Sequence, residues 1–129
     1  MEATQMSEKQ KTWARPVVFF EIHAKDQDRM AAFYREMFEW NITPGAIPGF
    51  LSIERGIGAP PEGISGVIAT ATHGTRVSIA IQVADLRDSL VQAEELGGKV
   101  LMQPVDVPKG PTVARIGDPE WNVITLVQQ

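Results

Sequence analysis

The amino-acid sequence predicts an α+β fold of two βαβββ modules. Three observations carry that expectation: the order of elements repeats, an aspartate follows the opening strand in each half, and both helical segments are amphipathic. A four-stranded unit with one helix covers only one face of its sheet. A curved, cup-like mixed sheet is therefore expected, its concave face closed by the other half or by a ligand.

The first module is expected at about 16–72. Val17 to Ala24, rich in β-branched and aromatic residues, reads as a strand, and Asp26 as the cap of a helix from Gln27 to about Phe38. Met30, Phe33, Tyr34, Met37 and Phe38 form one apolar stripe on that helix, which needs a sheet beneath it. Trp40, Phe33, Tyr34 and Phe38 are accordingly assigned to sheet–helix packing. Short strands follow at Trp40 to Thr43 and Phe50 to Arg55, parted by Pro44-Gly45 and Pro48-Gly49, and a third at Ile64 to Ala71 after the Gly/Pro loop from Gly56 to Gly63.

The second module, about 76–128, repeats the order. Val77 to Val83 reads as a strand, Asp85 as a cap, and Leu86, Leu90, Ala93 and Leu96 as a helical stripe stopped by Gly97-Gly98. Strands are expected at Lys99 to Val107, Thr112 to Ile116 and Val123 to Val127, punctuated by Pro108-Lys109-Gly110-Pro111 and Gly117-Asp118-Pro119. Internal duplication is the simplest account of the repeat.

At 129 residues, 43% hydrophobic and 22% charged, the chain fits one globular domain. Residues 1–15 read as a polar tail, anchored if at all by Trp13, without the apolar centre of a secretion signal. No apolar run approaches the roughly 20 residues that span a bilayer, so no membrane partner is expected. Cysteine is absent, which removes disulfides and thiolate chemistry and favours a cytoplasmic location. A net charge of −4 with scattered Lys and Arg argues against a nucleic-acid partner. Gly56-Ile57-Gly58 lacks the context of a phosphate loop, and Ser65, Ser78 and Ser89 lack a nucleophile elbow.

The segments FFEIHAKDQDRMAAFYREMFEW, IQVADLRDSLVQAEELGGKV and IGDPEWNVITLV resemble the vicinal oxygen chelate superfamily, which includes glyoxalase I, bleomycin-resistance proteins and extradiol dioxygenases. The likeness runs from about Pro16 to Val127 and is nearest to glyoxalase-like proteins with an FFEI first strand. Glu39 departs from it, standing where the family usually has glycine. The resemblance implies the cupped fold and frequent pairing into homodimers. It also implies metal ligands, in metal-dependent members, at positions that here hold Phe19, Ser78 and Thr125. A phenyl ring cannot ligate a metal and neutral hydroxyls are poor ligands for a catalytic divalent ion, so no metal and no other cofactor is expected. The argument survives a one-residue register error, because the strand segments 64–71, 77–83 and 123–127 contain no Asp, Glu, His or Cys. Glu62 and His73 remain as loop residues, His73 reading as a solvated link between the halves.

Side-chain alternation puts Phe19, Glu21 and His23 on one face of the first strand, the face that the family directs into its cup. Glu21 and His23 are the candidate catalytic pair, their Cα atoms about 7 Å apart, because a carboxylate in an apolar cup suits proton transfer. A structural role for both is the competing reading. Ser78 and Gln82 share the matching face of the second module with Thr125. Together with Phe19, Phe50 and Trp121 they are the candidate ligand-binding residues, though Phe50 and Trp121 could equally be core. Such a surface suits a small aromatic or polycyclic organic molecule. Two functions stay open: metal-independent binding of that molecule, or metal-independent isomerase, cyclase or lyase chemistry by Glu21 with His23. A metal-dependent glyoxalase- or dioxygenase-like enzyme is the third.

Overall fold

The computed structural model describes residues 14–54, 63–72 and 74–129. Trp13 and the tail before it, Gly56-Ile57-Gly58, Glu62 and His73 lie outside the described residues. The chain divides into two compact units, Val18–Ser78 and one built on Ile79–Gln129. Each reads β-α-β-β-β, as the repeat predicts.

In the first unit, strand β1 (Val17–Ala24) leads into helix α1 (Gln27–Phe38), then β2 (Ile42–Pro44), β3 (Leu51–Ile53) and β4 (Ser65–Thr70). Their order across the sheet is β2-β3-β4-β1, with β1 and β4 parallel and the other pairs antiparallel. Ile22, Ala24, Ile42, Ile53 and Ile68 turn toward the helix and bury a core with Ala31. Gly66 faces Phe20 across the β1–β4 pair, and a Cβ there would run into the phenyl ring.

The helix meets the sheet through Met30, Ala31 and Tyr34 rather than through the whole expected stripe. Phe33 and Phe38 are half exposed or more, at 55% and 51%, which corrects their assignment to sheet–helix packing, and Met37 of the same stripe is 57% exposed. The small Ala31 lets the helix close onto the strands, and that contact rotates the stripe's flank outward. Phe33 and Phe38 instead pack on Tyr34, at 5.3 and 6.1 Å between ring centres. Trp40 leaves the strand assigned to it as well: it stacks on Tyr34 at 5.1 Å and tilts against Phe20 at 5.7 Å, so β2 begins only at Ile42.

The second unit holds most of β5 (Arg76–Gln82), helix α2 (Leu86–Glu95), β6 (Lys99–Asp106), β7 (Thr112–Gly117) and β8 (Val123–Gln128). The order is β5-β8-β7-β6, with β5 and β8 parallel. Val83, Leu86, Leu90, Ala114 and Leu126 form its core. Leu96, the last residue of the expected stripe, is 62% exposed because it caps the helix.

Candidate functional site

Parallel pairing of β1 with β4 sets Glu21 beside Val67 and His23 beside Ala69, on the face of the sheet away from α1. Glu21 and His23 are 2% and 5% exposed. Removing a carboxylate and an imidazole from water costs several kcal/mol for each charged group, a cost offset only by close pairing. They do pair: Glu21 Oε1 lies 3.2 Å from His23 Nε2. The two groups that the sequence only placed on one face are brought into direct contact.

The remaining candidates lie on several elements of the two units. Phe19 is half-buried on the same face of β1, and Ser78 is buried in β5. Phe50 lies in the turn before β3, where its carbonyl accepts from the Gly45 amide at 2.8 Å and its own amide donates to the Ile47 carbonyl at 3.2 Å. In the second unit Gln82 is half-buried and its amide donates to the Pro16 carbonyl at 3.0 Å. Trp121 is 65% exposed, in a left-handed backbone conformation with φ 68°, its ring near Gly117. Thr125 is buried and its hydroxyl accepts from Arg115 Nε at 3.3 Å.

Arg115 is a polar residue that reading the sequence passed over. It pairs with Thr125 across β7 and β8 and with Met102 across β7 and β6, and Nη1 approaches Met102 Sδ at 3.9 Å. The signal was there: one cation in the strand TVARIG, in phase with Val113 rather than with the core residues Ala114 and Ile116.

A second set of residues was also passed over. A cavity of about 600 Å³ lies in the first unit, where the end of β1, the first turns of α1 and the start of β5 meet. Met30, Phe33, Tyr34 and Val77 give it apolar walls, and Lys25, Arg29 and Arg76 are also among its lining residues. His23 borders the cavity from β1. Alternation turns its imidazole to the opposite face, where Glu21 is, while Ile22 and Ala24 point toward the helix.

A divalent ion does not fit these residues. Among the described residues no three His, Cys, Asp or Glu side chains cluster closely enough to hold one. Strands β4, β5 and β8 carry no such residue at any position. Glu21 and His23 alone fall short of the three protein ligands that a catalytic zinc site uses.

Comparisons with known proteins agree on the architecture. A family model described as a glyoxalase-like domain matches residues 17–127. The chain is similar to a hypothetical protein from Bacillus halodurans C-125, with TM-score 0.64 and 13% identity over 91% of this chain and 96% of that one. It is also similar to methylmalonyl-CoA epimerase from Mycobacterium tuberculosis, with TM-score 0.61 and 14% identity over 87% and 86%. A Streptomyces coelicolor methylmalonyl-CoA epimerase variant in complex with 2-nitronate-propionyl-CoA gives TM-score 0.62 and 16% identity over 88% and 96%. At these identities the likeness shows the fold alone. No curated protein matches the chain in sequence.

Proposed function

This chain belongs to the glyoxalase-like domain family of the vicinal oxygen chelate superfamily, and on that premise we propose that it is a metal-independent enzyme that moves a proton on a small organic molecule with Glu21 and His23. The molecule binds against the face of the first module's sheet that the helix leaves uncovered. The observation that carries the reading is the 3.2 Å contact between the two buried groups. Each can hold the proton, so one can take it from a bound molecule while the other returns one. Isomerisation beside a carbonyl needs that pair of steps and no more. Phe19, Val67 and Ala69 share the face and favour a substrate with an apolar body. Epimerases among the structural neighbours support the same reaction class, by analogy of fold.

The test is deuterium incorporation. The full chain, treated with chelator, is incubated in D2O with a panel of small ketones and acyl thioesters, and exchange at the carbon beside the carbonyl is read by mass spectrometry. Exchange is expected for at least one class, with Glu21→Gln and His23→Gln each lowering it about 100-fold. Exchange that survives Glu21→Gln, or its absence across the panel, overturns the proposal. The second outcome would favour sequestration without chemistry, a reading supported by how completely both side chains are buried.

A further inference from the structure

We propose that the outward face of helix α1 is the interface of a two-fold symmetric dimer of this chain, in which two copies of the helix pack antiparallel. The inference stands apart from the chemistry assigned to Glu21 and His23, which lie on the other face of the first module's sheet.

The first observation is how little of the helix its own module covers. Of its 12 residues only Ala31 is fully buried. Phe33, Met37 and Phe38 each leave more than half of their surface to solvent. The helix of the second module buries Leu86 and Leu90 and exposes one large apolar side chain, Val91. Phe33 and Met37 are four residues apart and stand one above the other on the helix surface, while Phe38 joins them through the Tyr34 ring. A connected apolar surface of this kind marks a place where another molecule docks. The edge-on contact with Tyr34 also holds the Phe33 ring in place, so docking costs it little further freedom.

The second observation, the pattern of charge, names the occupant. Arg29 and Glu36 are both exposed and are seven residues apart, two turns and about 10 Å along one line of the helix. Phe33 lies between them, beside the exposed Ala32, whose methyl lets another helix come close. Arg35 is drawn away toward the sheet, where Nη2 donates to the Ile42 carbonyl at 2.7 Å. A two-fold axis through the middle of this stretch sets Arg29 of one copy against Glu36 of the other, at both ends, with the two Phe33 rings meeting near the axis. The face is therefore complementary to itself. A parallel copy would set Arg29 on Arg29 and Glu36 on Glu36, and a partner of uniform charge would be attracted at one end and repelled at the other. Phe33 and Met37 supply the affinity, and the exposed ion pairs set the orientation.

Sedimentation equilibrium of the full chain, from low micromolar to near-millimolar concentration, is expected to show monomer and dimer in exchange. Phe33→Glu is expected to weaken the dimer about 100-fold or more. Arg29→Glu and Glu36→Arg each bring like charges together twice, and each is expected to weaken it about tenfold. The double variant Arg29→Glu with Glu36→Arg restores opposite charges at both ends and is expected to return to within about threefold of the parent. All four substituted residues' variants are surface changes whose folding is checked by circular dichroism. A chain that stays monomeric across the range overturns the proposal, and so does a dimer that tolerates Phe33→Glu. A dimer weakened by both single reversals and not restored by the double variant overturns it as well, because Arg29 and Glu36 would then not face each other across the axis.

Discussion

The two modules repeat one framework and fill it with different chemistry. Both helices start on an aspartate whose carboxylate accepts from the amide three residues on, Asp26 from Arg29 at 3.1 Å and Asp85 from Asp88 at 3.0 Å. Both strands before the helix run parallel to the last strand of their module. On the faces away from the helices the likeness ends: the first module carries a buried acid against an imidazole, the second a hydroxyl held by a guanidinium. Hydrogen bonding and core burial fix the backbone in both modules, which leaves the opposite face free to differ.

The largest effect that would test this contrast is on stability. Glu21→Ala leaves the imidazole buried without its carboxylate and is expected to cost about 3–5 kcal/mol. Thr125→Ala removes a neutral acceptor from Arg115 and is expected to cost about 1 kcal/mol. Urea unfolding of the two variants against the parent measures both. Equal losses would mean that the first module's pair is no more than another polar contact.

The framework was legible in the sequence because local signals and tertiary demands agree there. Helix α1 runs from Gln27 to Phe38 as its cap and periodicity predict, and β1 and β6 to β8 fall within a residue or so of their expected bounds. Reading failed where packing overrode pattern. Trp40 looks like a strand residue but serves an aromatic cluster, and Phe33 and Phe38 look like core but are turned outward when Ala31 takes the contact. At the site, alternation was enough to put Glu21 and His23 on one face, since a two-residue period is a property of any strand. The contact between them depends on side-chain torsions that no pattern encodes. The cavity was missed for another reason: its lining residues Thr75 to Val77 are far in sequence from Ile22 to Tyr34, and only the meeting of three elements brings the two stretches together.

A smaller effect separates the two helix ends. After its Leu96 cap the second helix turns away through Gly97, at φ 95°, and the first is capped by Glu39, forced into the left-handed region at φ 56°. A side chain costs about 1 kcal/mol in that conformation, and glycine escapes the cost. Gly97→Ala is expected to destabilise by about 1 kcal/mol, and Glu39→Gly to stabilise by a few tenths to 1 kcal/mol. Thermal unfolding of both variants reads the two signs. A loss from Glu39→Gly would show that the glutamate side chain contributes to the first module in some way that outweighs backbone strain.

The smallest effect concerns acids again, buried in one module and at the surface in the other. Asp118 opens the turn before β8, where its carboxylate accepts from Asn122 Nδ2, the Asn122 amide and the Glu120 amide, each at 2.9 Å. Those donors, the Asn122 side chain foremost and then its amide, hold the Asp118 pKa below the ordinary 3.8 against an opposing effect of desolvation. A group whose pKa is depressed on folding contributes stability that is complete above its unfolded value and is lost as the pH falls through the folded one. The contribution of this turn is therefore expected to be full well above pH 3.8 and to fade below it. Asp118→Asn keeps the size of the side chain and removes its titration. Unfolding midpoints of parent and variant, followed from neutral to strongly acid pH, are expected to differ near neutrality and to converge in acid. A difference that holds constant through the acid range would show that the turn's contribution does not depend on ionisation of Asp118.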